Sequence, residues 1–220
     1  LKYSLDFAQN IWKERPEMSM ESVFSLADEY TGEKIGSKLE RIREIMKENG
    51  CNAHVLSSLD DIAWLLNIRG NDIAYCPLVL SYAIVYNNSV ELFADIRKFS
   101  DDIINLLAEN QVKIYPYEDI YRKVSEMTSE DKLLLDSAIM NYSLYQSISK
   151  ETVIVDKQNP EILMKSVKNE TQAENWRKAH LKDAVAHTKF MYWLKKNIGS
   201  IPMDEVSVAE QIDGLRAQQD

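Results

Sequence analysis

Short apolar runs alternate with helix-periodic segments between residues 53 and 155, and this alternation constrains the fold more than any other feature. Residues 53–57 (AHVLS), 112–115 (VKIY), 132–136 (KLLLD) and 152–155 (TVIV) read as strands, each too short to make a stable helix. Leu39, Ile42, Ile45 and Met46 recur at helical spacing, and Gly50 follows where a C-cap belongs. Asp60 is placed to cap a brief helix over residues 62–66. Ile103, Ile104, Leu106 and Leu107 suit another helix, as do residues 117–127 and 142–149. Residues 78–86 and 90–94 flank the turn pair Asn87-Asn88, the best hairpin signal in the chain. Strands that alternate with helices predict an α/β layer: a mixed, mostly parallel sheet flanked by helices, with one antiparallel hairpin.

The pattern changes near residues 156–159. Residues 170–197 contain neither Pro nor Gly and read as one long helix, ended by Gly199 and Pro202. A second helix follows over residues 205–219. Val185, Phe190, Met191, Trp193 and Leu194 give these helices apolar surface with no sheet of their own to bury it, as at the opening of a further domain. Residues 1–28 are mixed and read as a connector or the end of a preceding domain. Residues 29–157 form the α/β domain and residues 158–220 the opening helices of the next. The first residues have no signal-peptide pattern and no initiator Met, so the chain is expected to begin inside a longer gene product.

A net charge of −9 and a pI near 5.0 argue against a nucleic-acid partner, which needs clustered Lys and Arg. No apolar run approaches the roughly 20 residues of a membrane helix. Cys51 and Cys76 are the only cysteines and form no dense framework, so reduced thiols in a cytoplasmic protein are expected.

Few residues suggest chemistry. His180, Asp183 and His187 share one side of the long helix and include metal-ligand types. The two imidazoles are nevertheless about two turns, or roughly 10.5 Å, apart along the axis. Trp176, Phe190, Met191 and Leu194 share or flank that side, so a packing face with polar edges is favoured and no metal ligand is assigned. His54, alone on a strand, reads as a hydrogen-bonded structural group. Neither cysteine has a histidine at motif spacing, and no catalytic set emerges. The polar loop between the apolar segments carries Arg69, Asn71 and Asp72 around Gly70. Two readings of it stand. Arg69, Asn71 and Asp72 form a substrate or subunit contact, with Arg69 recognising a carboxylate or peptide carbonyl, or Arg69 and Asp72 form an internal ion pair that shapes the loop.

Several segments carry a resemblance: residues 11–16 (IWKERP), 29–32 (EYTG), 59–85, 165–170 (KSVKNE), 177–186 (RKAHLKDAVA), 205–210 (EVSVAE) and 216–219 (RAQQ). In this order they resemble the Xaa-Pro aminopeptidase branch of the creatinase/prolidase "pita-bread" family. The resemblance implies a creatinase N-terminal-like α/β domain followed by the first helices of a truncated pita-bread domain. It implies an enzyme that cleaves peptides with proline at the second position, works as a homodimer, and uses two divalent metals, typically manganese. The metal ligands of that family belong to sequence beyond this chain, so the fragment itself is expected to hold no metal and to be inactive alone. Its role would be accessory, shaping active-site access and dimer contacts, with the Arg69–Asn71–Asp72 loop at the active-site mouth. The alternatives are an Xaa-Pro dipeptidase of the same fold, or an inactive creatinase-like module that binds protein or peptide.

Overall fold

The computed structural model describes residue 8 and residues 11–219, in two compact units that divide between Val167 and Lys168. The first unit is organised around a six-stranded sheet in the order β6-β5-β4-β2-β7-β8. Its strands are β2 (Ala53–Leu56), β4 (Tyr82–Tyr86), β5 (Val90–Phe93), β6 (Val112–Tyr115), β7 (Lys132–Leu135) and β8 (Val153–Asp156). Strands β2, β7 and β8 pair in parallel, as do β5 and β6. Strand β4 is antiparallel to both β2 and β5, so it alone runs against the other five. The sheet is mixed, as the alternation predicts, and the Asn87-Asn88 turn joins β4 to β5 in the expected hairpin. A second, two-stranded sheet pairs β1 (Phe24–Ser25) with β3 (Ile68–Arg69).

Helices cover both faces, which is why the central strands read as unbroken apolar runs. The two-residue side-chain period sorts them between two cores. Leu56, Ala83, Val85, Leu92 and Leu134 face one side, against helices α2 (Ile35–Glu48), α3 (Leu59–Leu65) and α4 (Asp101–Glu109). Val55, Ile84, Phe93, Leu133 and Leu135 face the other, against α5 (Asp119–Ser125) and α6 (Tyr142–Ser147). The short helix α1 (Asp28–Thr31) precedes α2, and α7 (Pro160–Ser166) closes the unit. Helix α7, which follows the change of pattern near residues 156–159, belongs to this first unit. Its Met164 packs on the first core.

Two local expectations are corrected. Asp60 does not cap α3; Ser58 is its N-cap, and Asp60 lies in the first turn. A carboxylate in a first turn is favoured by the helix dipole, and Asp60 also pairs with Lys165 Nζ. Residues 78–81 are not strand: β4 begins at Tyr82, because the backbone N–H of Leu80 donates to the Asp72 carboxylate instead of to a sheet neighbour.

The second unit holds helix α8 (Glu170–Asn197) and helix α9 (Glu205–Arg216). Asn169 and Asp204 start them through reciprocal capping bonds with Gln172 and Ser207. Trp176 is exposed, whereas Phe190 is buried and stacks on Trp193.

Candidate functional site

Helix α3 ends at Leu65 with Leu66 as its C-cap, and the chain turns at Asn67, which adopts a left-handed φ of 51°. Three bonds hold that turn. Lys38 Nζ donates to Asn67 Oδ1 at 2.6 Å, Asn67 Nδ2 donates to the Glu33 carbonyl at 3.0 Å, and Leu26 N–H donates to the Asn67 carbonyl at 2.8 Å. The following strand, β3, delivers Arg69. Its Nη1 donates to the carbonyls of Ala63 and Ile68, at 2.6 and 2.8 Å. Arg69 therefore closes the C-terminal end of α3, where carbonyls are unsatisfied and a cation is favoured. Burial lowers its pKa from the usual arginine value.

Gly70 follows where the chain crosses close to residues 78 and 79. The N–H of Gly70 donates to the Pro77 carbonyl, and that of Asp72 to the Leu78 carbonyl. The Asp72 side chain is wholly buried; it accepts from Leu80 N–H at 2.7 Å and pairs with Lys98 Nζ, which is also buried. The internal Arg69–Asp72 ion pair offered by the sequence is thus replaced: the cation at Asp72 is Lys98, and Arg69 is engaged by carbonyls. Beyond this base the loop narrows to a tight turn, with Ile73 and Cys76 bridged. Tyr75 sits at its tip with φ 63° and 99% exposure. Asn71 is exposed as well. Of the three residues singled out in the sequence, Asn71 is presented to solvent, while Arg69 and Asp72 fix the loop that presents it.

A cavity of about 460 Å³ adjoins the loop base. Leu80 and Lys98 line it together with Ile96, Ile114, Tyr115 and Tyr117. It lies at the carboxyl ends of the parallel strands β5 and β6, the side of an open α/β sheet where ligands generally bind. Beside it Tyr82 and Tyr117 pack with ring centroids 5.0 Å apart, and Asn141 Nδ2 donates to the Tyr82 hydroxyl. Burial pushes the Tyr82 pKa up to about 12. The sequence reading missed this cavity; its one local signal is Tyr115-Pro116-Tyr117 directly after a strand.

The remaining candidates have structural surroundings. The ring of His180 packs on Trp176 at 5.1 Å, and Asp183 accepts from Arg216 Nε at 2.8 Å. His54 is wholly buried and hydrogen-bonded at both ring nitrogens.

The fold is an α/β domain whose sheet has one reversed strand at its centre, followed by two helices of a second unit. Residues 14–172 match the sequence profile of the creatinase/prolidase N-terminal domain. The chain belongs to that family. It is 36% identical over 211 residues to Xaa-Pro aminopeptidase 1 of Dictyostelium discoideum, covering 94% of this chain and 33% of the relative. It is 34% identical over 211 residues to Xaa-Pro aminopeptidase 2 of Mus musculus, covering 92% of this chain and 31% of the relative. The solved X-prolyl aminopeptidase of Caenorhabditis elegans, a cytosolic enzyme with a di-nuclear active site, superposes with a TM-score of 0.88 at 31% identity, over 98% of this chain and 36% of its own. The prolidase of Pyrococcus horikoshii OT3 shares the fold at 16% identity and a TM-score of 0.53, over 82% of this chain and 48% of its own. The chain spans about a third of the length of the curated relatives it matches. A di-nuclear centre needs several carboxylates and imidazoles that converge. Among the described residues no group of three or more His, Cys, Asp or Glu is placed to hold a metal ion, so those residues do not fit such a centre.

Proposed function

We propose that this chain is the N-terminal, non-catalytic portion of an Xaa-Pro aminopeptidase, which removes the residue before proline from the start of a peptide. The observation that carries this reading is the 0.88 TM-score over 98% of the chain against an X-prolyl aminopeptidase of which it covers only 36%. On this reading the remainder of the polypeptide binds two divalent metals, manganese by expectation, and supplies the water that attacks the peptide bond. The whole enzyme is a cytosolic homodimer that takes peptides with proline in second position. This part shapes access to the reacting centre and the contacts between subunits.

The loop of Arg69, Asn71 and Asp72 is the proposed substrate-binding element. Asn71 and Tyr75 are its contact residues, since both are exposed on it. Arg69 and Asp72 are positioning residues, since one ties the loop to α3 and the other to Lys98. Two measurements test the reading. Asn71→Ala combined with Tyr75→Ala in the full-length enzyme should lower kcat/KM for Xaa-Pro peptides by about tenfold, roughly 1.4 kcal/mol. An unchanged kcat/KM together with an unchanged oligomeric state would remove the loop from function. The 220-residue chain alone should release no N-terminal residue when manganese is added; turnover by it would overturn the non-catalytic reading.

A further inference from the structure

Helix α7 is the last element of the first unit, immediately before the chain passes to the second at Val167 and Lys168. Its Glu161 and the His54 of β2 lie 107 residues apart in sequence, and both side chains are 0% exposed. His54 Nδ1 is 3.0 Å from the Leu134 carbonyl oxygen of β7. That oxygen can only accept, so Nδ1 carries a proton. Nε2 faces Glu161 Oε2 at 3.2 Å. With Nδ1 protonated, two states satisfy this contact. Either an imidazolium Nε2–H donates to a carboxylate, or a carboxylic acid donates to the bare Nε2 of a neutral ring. Each state places one proton between the same two atoms.

We propose that His54 and Glu161 share a single buried proton, and that this proton is the lock that holds α7 against the sheet. Without it an imidazole lone pair meets a carboxylate lone pair between two fully buried side chains. The other charged groups around the pair are few. From α3, Asp61 is buried and accepts from Asn159 Nδ2 at 3.0 Å and from Lys165 Nζ at 2.6 Å. Asp60 shares the same lysine. From β7 only the Leu134 carbonyl reaches the ring. Glu161 Oε1 and Asn159 Oδ1 are buried and meet no donor among the described residues, so none of these residues offers the carboxylate a second donor to replace the proton. Burial pulls the His54 pKa down, but Glu161, the Leu134 carbonyl and Asp61 more than offset this and leave it above the usual imidazole value. The lock is therefore complete below the unfolded value of 6.5 and is lost as pH rises through the higher folded value. The proton belongs to the pair, not to either residue. Released, α7 adds its 7 residues to the connection between the units. The device is proton-gated and depends on no assumption about catalysis.

Amide hydrogen exchange on the 220-residue chain tests it, read over α7 from about pH 6 to 9 and corrected for intrinsic exchange. Between the unfolded value of 6.5 and the higher folded value the opening constant of α7 should grow about tenfold per pH unit and then level off, while α5 stays flat. In Glu161→Gln an amide N–H can donate to the bare Nε2 with no shared proton, so α7 should stay closed and flat across the same range. A pH-independent α7 in the unaltered chain, or the same slope in Glu161→Gln, would overturn the proposal. If Glu161→Gln does not fold, ¹⁵N spectra of the His54 ring decide. A proton on Nδ1 and another held at Nε2 or Glu161 supports the lock; a bare Nε2 beside an ionised Glu161 at neutral pH overturns it.

Discussion

A methyl group added at Gly70 would sit 2.9 Å from Val79 Cγ2 and 3.3 Å from the Leu78 carbonyl oxygen. Val79 is 1% exposed and β-branched, so it has little room to turn aside. Gly70→Ala should therefore cost about 1–3 kcal/mol, read as a lower urea midpoint. A cycle with Val79→Ala should show a favourable coupling, because the second change removes the clashing carbon; strict additivity would place the strain elsewhere. Lys38 is the other residue whose surroundings make a sharp claim. It is 1% exposed, donates to the Trp64 carbonyl and Asn67 Oδ1, and stands 4.4 Å above the Trp64 ring. Burial lowers its pKa from 10.5 to about 8, with Glu33 pulling the other way. Between those values the unfolded chain binds more protons than the folded one, so this residue makes stability rise with pH, by at most about 1.4 kcal/mol per pH unit. Other groups titrate nearby, so the measurement is the difference between the unaltered chain and Lys38→Met in urea unfolding at several pH values. The gap should widen as pH rises from 8 towards 10.5; parallel curves would show that Lys38 keeps its proton when folded.

The loop after α3 depends on one ion pair. Asp72 and Lys98 are 0% and 2% exposed at their side chains. Breaking a buried pair strands a charge, at about 3–5 kcal/mol, whereas replacing both partners by apolar groups is often nearly neutral. Asp72→Leu alone should accordingly destabilise the chain strongly, and Asp72→Leu with Lys98→Met should recover much of the loss, both read from urea midpoints. Recovery will be incomplete, since Leu80 N–H also loses its acceptor. If the double variant is no better than the single one, the pair is not what holds the loop. This element also marks how far sequence reading reaches. Strands β2, β4 and β7 were legible because they are largely buried between helices and read as mostly apolar runs, whereas β5, β6 and β8 stood out as short strand-like stretches between helical segments or turns. Helix α8 was legible end to end because neither Pro nor Gly interrupts it. Strands β1 and β3 have two residues each, too few to show any period. The loop was visible as a polar interruption, but its wiring was not. The partner of Asp72 lies 26 residues away, and the carbonyls that engage Arg69 exist only once α3 ends where it does. The cavity was hidden for a related reason, because the ends of two strands build it and neither is distinctive alone.

At the scale of the whole molecule, buried apolar surface is divided very unequally. Both cores, including the side chains packed at their margins, are drawn from residues between Val23 and Met164. In the second unit Ala186 and Phe190 are the buried residues of α8, and α9 has none among its described residues. A helix gains most of its stability from packing an apolar face, since propensity and capping alone leave an isolated helix marginal in water. Ending the chain at Val167 removes no core residue, so the shortened protein should unfold in one cooperative step at nearly the same urea midpoint, followed by circular dichroism. A peptide of residues 168–220 should behave differently. Its capping bonds at Asn169 and Asp204 favour helix at both starts, so it should show partial helicity that melts gradually with no sigmoidal transition. A sharp transition in the peptide would mean that two buried side chains suffice for a cooperative fold. A large fall in the midpoint of the shortened chain would mean that α8 and α9 stabilise the sheet domain. The expected pair of results would leave α8 and α9 as helices with little core of their own, in keeping with Trp176, Leu181 and Tyr192 standing exposed on α8.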